Sequence, residues 1–151
     1  MIFETITSKD APEAIGPYSP LLRACDFILI SGQLPIDPKT NEIVEGDIEE
    51  QTKQCIKNME ALLKAADLSL AHVVKTTIFL TDLSLFSRVN EVYGTFFKEP
   101  YPARSCIEVK ALPKGAPIEI EALALDTRSL EVLCAGEEVE EDCTEKACTC
   151  K

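Results

Sequence analysis

The feature that most limits what this chain can become is a set of strands apolar on both faces, with only two helices available to cover them. Phe27-Ile28-Leu29-Ile30-Ser31 is a short apolar run bounded by Asp26 and Gly32, which predicts a strand. Side chains alternate along a strand, so Phe27 and Leu29 face away from Ile28 and Ile30. Val73 to Leu80 is eight residues long and rich in β-branched side chains. Within it Phe79 opposes Ile78 and Leu80. Arg104–Val109 and Ile118–Leu125 are the last two strands, joined by a turn with Pro113, Gly115 and Pro117.

Asp47 followed by Glu50 predicts a helix N-cap with a capping-box partner. Behind it Ile48, Thr52, Cys55, Ile56, Met59, Leu62, Leu63 and Ala66 recur at helical spacing. Asp82 or Ser84 caps a second helix whose buried stripe is Phe86, Val89, Tyr93, Phe96 and Phe97, with Pro100 beyond its end. Pro35, Asp37-Pro38 and Asn41 mark a loop between the first strand and the first helix. The order is roughly β-β-α-β-α-β-β, an α+β fold with two helices on one face of a mixed sheet. A sheet apolar on both faces is normally covered on both. Self-association is the expected cover for the second face, and closed rotational symmetry its usual form.

At 151 residues one domain is expected. Fifteen Lys and Arg against 26 Asp and Glu leave −11. Nucleic acid and anionic membrane surfaces are therefore not expected partners, since both are gripped by basic residues. No apolar run is long enough to span a membrane, and the start of the chain has no basic, apolar leader, so the expected location is cytoplasmic. Composition breaks near Leu125. Residues 1–125 form the expected folded domain, and 126–151 an acidic appendage with eight acidic and three basic residues, with one extra strand expected around Ser129–Cys134. Four of the seven cysteines, Cys134, Cys143, Cys148 and Cys150, crowd that appendage. Their spacing lacks the paired knuckles of structural zinc sites; they read either as oxidisable thiols or as soft-metal ligands.

The usual catalytic constellations are missing from the sequence. His72 is the only histidine and falls at a helix-to-strand junction. There is no Gly-rich phosphate loop and no dinucleotide fingerprint. The informative residues are polar groups inside strand sequence. Arg104 opens a strand, and Glu119 and Glu121 share one face of another. A strand-borne Arg needs an anionic partner, either one of those carboxylates or a ligand carboxylate, which a guanidinium grips in a bidentate fork. Cys106 lies beside that Arg and is either an activated thiol or a small packing residue.

Six motifs occur in order: Ala14-Ile15-Gly16-Pro17-Tyr18-Ser19, Ile30-Ser31-Gly32-Gln33, Val74-Lys75-Thr76-Thr77, Val89-Asn90-Glu91-Val92-Tyr93, Pro102-Ala103-Arg104-Ser105-Cys106 and Ile118-Glu119-Ile120-Glu121-Ala122. Together they resemble the Rid (YjgF) family of reactive-intermediate deaminases over about residues 1–125. The resemblance implies a chorismate-mutase-like fold and a homotrimer with sites between subunits. It implies hydrolysis of enamines and imines such as 2-aminoacrylate, 2-aminocrotonate and their 2-imino acids to 2-keto acids and ammonia. Pyridoxal-phosphate-dependent dehydratases supply those intermediates, an indirect link, and no metal or organic cofactor is required. Residue by residue, it assigns the substrate carboxylate to Arg104 and the attacking water to Glu119. Cys106 contacts ligand through its backbone, Tyr18 lies on a closing loop, and Ser31 and Asn90 are polar positions at the site. Two departures stand out: the added 126–151 segment, and the compact Lys98-Glu99-Pro100-Tyr101 stretch before Arg104.

Overall fold

The computed structural model describes residues 3–128. A six-stranded mixed sheet runs in the spatial order β1-β2-β3-β6-β4-β5. Its strands are β1 (Phe3–Ile6), β2 (Leu21–Ala24), β3 (Phe27–Gln33), β4 (Val73–Leu80), β5 (Ala103–Glu108) and β6 (Ile118–Leu125). All neighbours are antiparallel except β4 and β5, which are parallel and connected through a helix. The helices are α1 (Ile48–Ala65) and α2 (Phe86–Phe96).

Local chemistry explains these boundaries. Asp47 accepts a hydrogen bond from the Glu50 amide at 3.1 Å and so caps α1. The Glu50 carboxylate meets Lys53 instead of closing the expected box. Asp82 accepts from the Ser84 amide at 2.9 Å, starting a short 3-10 turn (Leu83–Leu85) that leads into α2. His72 ends a similar turn, its Nδ1 3.1 Å from the Ser69 amide, so it is a connector.

Both helices lie on one face. The α1 stripe of Ile48, Thr52, Cys55, Ile56, Met59, Leu62 and Leu63 is buried against Ile28, Ile30, Ile78, Leu80, Ile118 and Ile120. Val89, Tyr93 and Phe97 complete that core. Asn58 is also fully buried, and its amide donates to the carbonyls of Leu34 and Ile36, satisfying the loop that precedes α1.

Among the described residues the other face of the sheet stays open. Phe27 is 53% exposed, Leu29 44% and Ile107 48%. They form the apolar surface that the alternation predicted, and nothing in the described residues covers it.

Three differences from the sequence expectation follow from weak local signals. There are three strands before α1, not two, because β1 and β2 are only four residues each and largely exposed or half-buried. Strand β3 runs two residues further, through a bulge at Ser31-Gly32. Packing also continues past Leu125: Asp126 is 6% exposed and its amide donates to the Asp26 carbonyl. The expected strand at Ser129–Cys134 and the cysteines Cys134, Cys143, Cys148 and Cys150 lie outside the described residues.

Candidate active site

The fold sorts the expected site residues into two groups on opposite faces of the sheet. Register decides this. Thr76 and Ile78 of β4 point into the helix-side core and pair with Arg104 and Cys106 of β5. Thr77 and Phe79 point to the open face and pair with Glu121 and Glu119 of β6. Arg104 and Glu119 of one chain therefore point in opposite directions. Among the described residues Arg104 has no carboxylate within ion-pair distance, so the internal Arg104–Glu119 or Arg104–Glu121 pair considered from sequence does not form.

The first group surrounds Arg104 on the edge strand. Its guanidinium carbon sits 4.8 Å from the centroid of the Tyr93 ring and 5.6 Å from that of Phe86. Asn90, Tyr93, Gly94, Tyr101, Pro102 and Arg104 line a concavity of about 360 Å³. A guanidinium held on aromatic faces keeps its charge and its forked donors available. Cys106 is half-buried and packs against the core. Burial pushes its thiol above the usual range and the nearby Arg104 only partly opposes this. That direction runs against the activated-thiol alternative and accords with packing. As β5 is an edge strand among the described residues, no strand of theirs pairs with one side of its backbone beside Arg104 and Cys106.

The second group gathers where β3 and β6 meet. Between Ile30 and Gln33 the register slips, so β3 carries one residue more than β6. This bulge places Ser31 and Gly32 beside Glu119. A Cβ at Gly32 would collide with the Glu119 carboxylate, so that carboxylate lies directly over the glycine backbone. Burial raises the Glu119 carboxyl above its ordinary 4.5, and the charge of Glu121 raises it further. Ser31 Oγ donates to the Ser19 carbonyl at 2.7 Å, and its amide donates to the Pro20 carbonyl at 3.0 Å. Ser31 thus ties the loop that bears Tyr18 to the sheet. Tyr18 is exposed, and its hydroxyl accepts from the Ile15 amide at 3.4 Å. Tyr18, Gly32, Gln33 and Ile15 line one small cleft.

The structure thus brings Arg104, Asn90 and Cys106 together, and separately Glu119, Ser31 and Tyr18. Sequence reasoning gave no role to Gly32, although a glycine inside a strand pattern is a known sign of a bulge or close approach. Tyr93 read only as part of a buried helical stripe, and its second use was hidden by the first. Among the described residues no group of three or more His, Cys, Asp or Glu is placed to hold a metal ion.

The comparisons with known proteins now have a geometry to meet. The family model described as "Endoribonuclease L-PSP" matches residues 8–126. This chain belongs to that family. The family is also the one known as Rid or YjgF, and solved structures bearing those names share this fold. The RidA structure from the Antarctic bacterium Psychrobacter sp. superposes with a TM-score of 0.79 at 44% identity, covering 82% of this chain and 99% of that one. Among curated L-PSP relatives, the RutC family protein y4sK of Sinorhizobium fredii is 52% identical over 122 residues, covering 81% of this chain and 97% of the relative. The human protein named 2-iminobutanoate/2-iminopropanoate deaminase is 46% identical over 125 residues, covering 83% and 91%. No helix among the described residues is long and apolar enough to cross a membrane.

Proposed function

We propose that this chain is an imine deaminase that hydrolyses small 2-imino acids, and the enamines that tautomerise to them, to 2-keto acids and ammonia. The observation that carries the reading is Arg104: a cation on an aromatic platform, lining a cavity, with no carboxylate within ion-pair distance among the described residues. A ligand carboxylate is the chemical complement of that fork. The human relative's name supports the same reaction class.

Glu119 is the complement of Arg104. A carboxylate with a raised pKa is a better base than an ordinary one. Held over the Gly32 backbone, it orients a water toward the imine carbon and accepts one of its protons. Water adds to the C=N carbon as the proton taken by Glu119 is passed to the imine nitrogen; the carbinolamine then collapses, its C–N bond breaking as the C=O bond forms, and the hydroxyl proton goes to the nitrogen, which leaves as ammonia. Arg104 fixes the carboxylate end so that the imine carbon meets that water, which is catalysis by proximity. Asn90 and the main chain at Cys106 frame the Arg104 side. Tyr18 and Ser31 frame the Glu119 side. No cofactor enters this scheme.

Because the two groups face opposite ways in one chain, the complete site requires two copies. A contact in which the Arg104 edge of one copy meets the open face of the next is heterologous, and three such contacts close into a trimer. That contact also covers Phe27, Leu29 and Ile107. The family description names an endoribonuclease. A net charge of −11 is poor footing for RNA, whose binding depends on displaced counterions.

The test is a coupled assay. A pyridoxal-phosphate-dependent threonine or serine dehydratase generates the enamine, and keto-acid formation is followed with and without this protein. Acceleration that Arg104→Ala removes, with a cost of about 2–5 kcal/mol in kcat/KM, is the expected result. No acceleration by correctly assembled wild-type protein contradicts the proposal and leaves a non-catalytic metabolite-binding role.

A further inference from the structure

Arg104 raises a question that its proposed ligand does not answer. A long, flexible cation with no ion pair among the described residues needs something else to hold one orientation before the ligand arrives. The structure supplies it in three contacts. Thr76 and Arg104 are register partners on adjacent strands, β4 and β5, so their side chains emerge side by side on the helix face. Tyr93 descends onto them from α2. Its hydroxyl lies 2.9 Å from Thr76 Oγ1, and both residues are buried. Its ring carries the Arg104 guanidinium at 4.8 Å and stacks on Phe97 at 4.2 Å with the planes 21° apart. One end of the ring is therefore pinned to β4 and the ring is braced by Phe97, which leaves a fixed aromatic surface under Arg104.

We infer that Tyr93 is the positioning residue for the carboxylate-binding arginine, and that Thr76 acts through it by fixing the ring. The inference rests on the reading of Arg104 as a carboxylate clamp. A π-face is a distinctive choice for this task. A carboxylate partner would orient the guanidinium equally well, but would occupy the fork and cancel its charge. The ring quadrupole attracts the cation from below and consumes none of its N–H donors. Orientation before binding lowers the cost of ordering a long side chain when the ligand arrives.

The test varies the quadrupole at constant shape. Tyr93→Phe and the same position bearing 3,4,5-trifluorophenylalanine, introduced by codon suppression, differ in ring charge distribution and hardly in volume. The probe is 2-oxobutanoate, titrated calorimetrically into the assembled protein, alongside kcat and KM in the dehydratase-coupled assay. Tyr93→Phe is expected to raise the probe Kd about threefold, because the π-face survives but the hydroxyl that Thr76 holds is lost. The trifluorinated variant is expected to bind about tenfold more weakly than Tyr93→Phe, with KM rising in parallel and kcat nearly unchanged. A purely structural role for the ring predicts equal Kd values for those two variants, and that result overturns the inference. Arg104→Ala separates the two layers. If it leaves probe binding intact, the clamp itself is wrong and the positioning role falls with it. If it abolishes binding while fluorination has no effect, the clamp stands and only the role of Tyr93 fails. Thermal unfolding of each variant shows whether it remains folded.

Discussion

Glu119 owes its raised pKa first to burial and then to Glu121, two residues along the same strand face. In the proposed reaction the working form is the carboxylate, so activity falls as pH drops through that pKa. The acid limb of kcat/KM is therefore expected above the ordinary carboxylate range. Glu121→Gln removes the like charge and moves the limb to lower pH; a pH–rate profile that does not shift refutes the coupling. Glu119→Gln is expected to cost about 10²–10⁴ in kcat, measured in the same assay. Stability responds with the opposite sign. A carboxyl whose folded pKa is raised is most favourable to the fold below the unfolded value, and that contribution is lost as pH rises through the folded pKa. Glu119→Gln should accordingly raise Tm at pH 7 and have little effect near pH 4, as thermal unfolding at both values would show. Arg104, Glu119 and Glu121 stand out in the sequence at this scale, because a cation or a carboxylate inside strand sequence demands a partner. The choice of Glu119 over Glu121, and the role of each residue, came only from the family resemblance. Tyr93 does not stand out, because a buried aromatic on a helical stripe looks the same whether or not a cation rests on it.

Strands and loops decide whether those side chains meet anything. The bulge in β3 exists because Gly32 leaves the Glu119 carboxylate room, so Gly32→Ala should displace the carboxylate from its seat. Overpacking of this kind costs about 1–3 kcal/mol, and a comparable loss in kcat/KM is expected with α1 and α2 intact by circular dichroism. The end of β6 is held differently. Arg128 and Arg23 both bond the Asp126 carboxylate, at 2.6 and 3.1 Å, and Arg23 also donates to the Ala66 carbonyl at the end of α1. The hydrogen bonds from Arg128 lead in lowering the Asp126 pKa from 3.8 to about 2. A depressed carboxyl stabilises the fold above its unfolded pKa and loses that contribution as pH falls from about 3.8 toward about 2. Since Arg128 is half-exposed and solvent screens it, the contribution is about 1 kcal/mol. Asp126→Asn should show that deficit in urea unfolding at pH 7 and lose it near pH 2. Strands β4 and β6 and both helices were legible because their apolar periodicity is long. Strands β1 and β2 were not: four half-exposed residues carry too short a pattern, and only pairing with β3 makes them strands.

At the scale of the whole molecule, the described residues form a sheet with one face covered by both helices and the other left open. The alternation of Phe27 and Leu29 with Ile28 and Ile30 foretold this before any coordinates, since two helices cannot cover both sides. What the pattern could not foretell is that the same alternation sends Arg104 and Glu119 in opposite directions. That depends on the register of β5 and β6 against β4, which no local run of sequence encodes. The central claim is that these half-sites become one active site only between copies of the chain. Its most direct test is subunit complementation. Arg104→Ala and Glu119→Gln chains, each expected to be inactive alone, are co-expressed with different tags and isolated as mixed assemblies. If each site takes Arg104 from one chain and Glu119 from its neighbour, a closed trimer holding both variants rebuilds one of its three sites, and about a third of wild-type imine hydrolysis returns. Mixed assemblies as inactive as their parents would contradict the account.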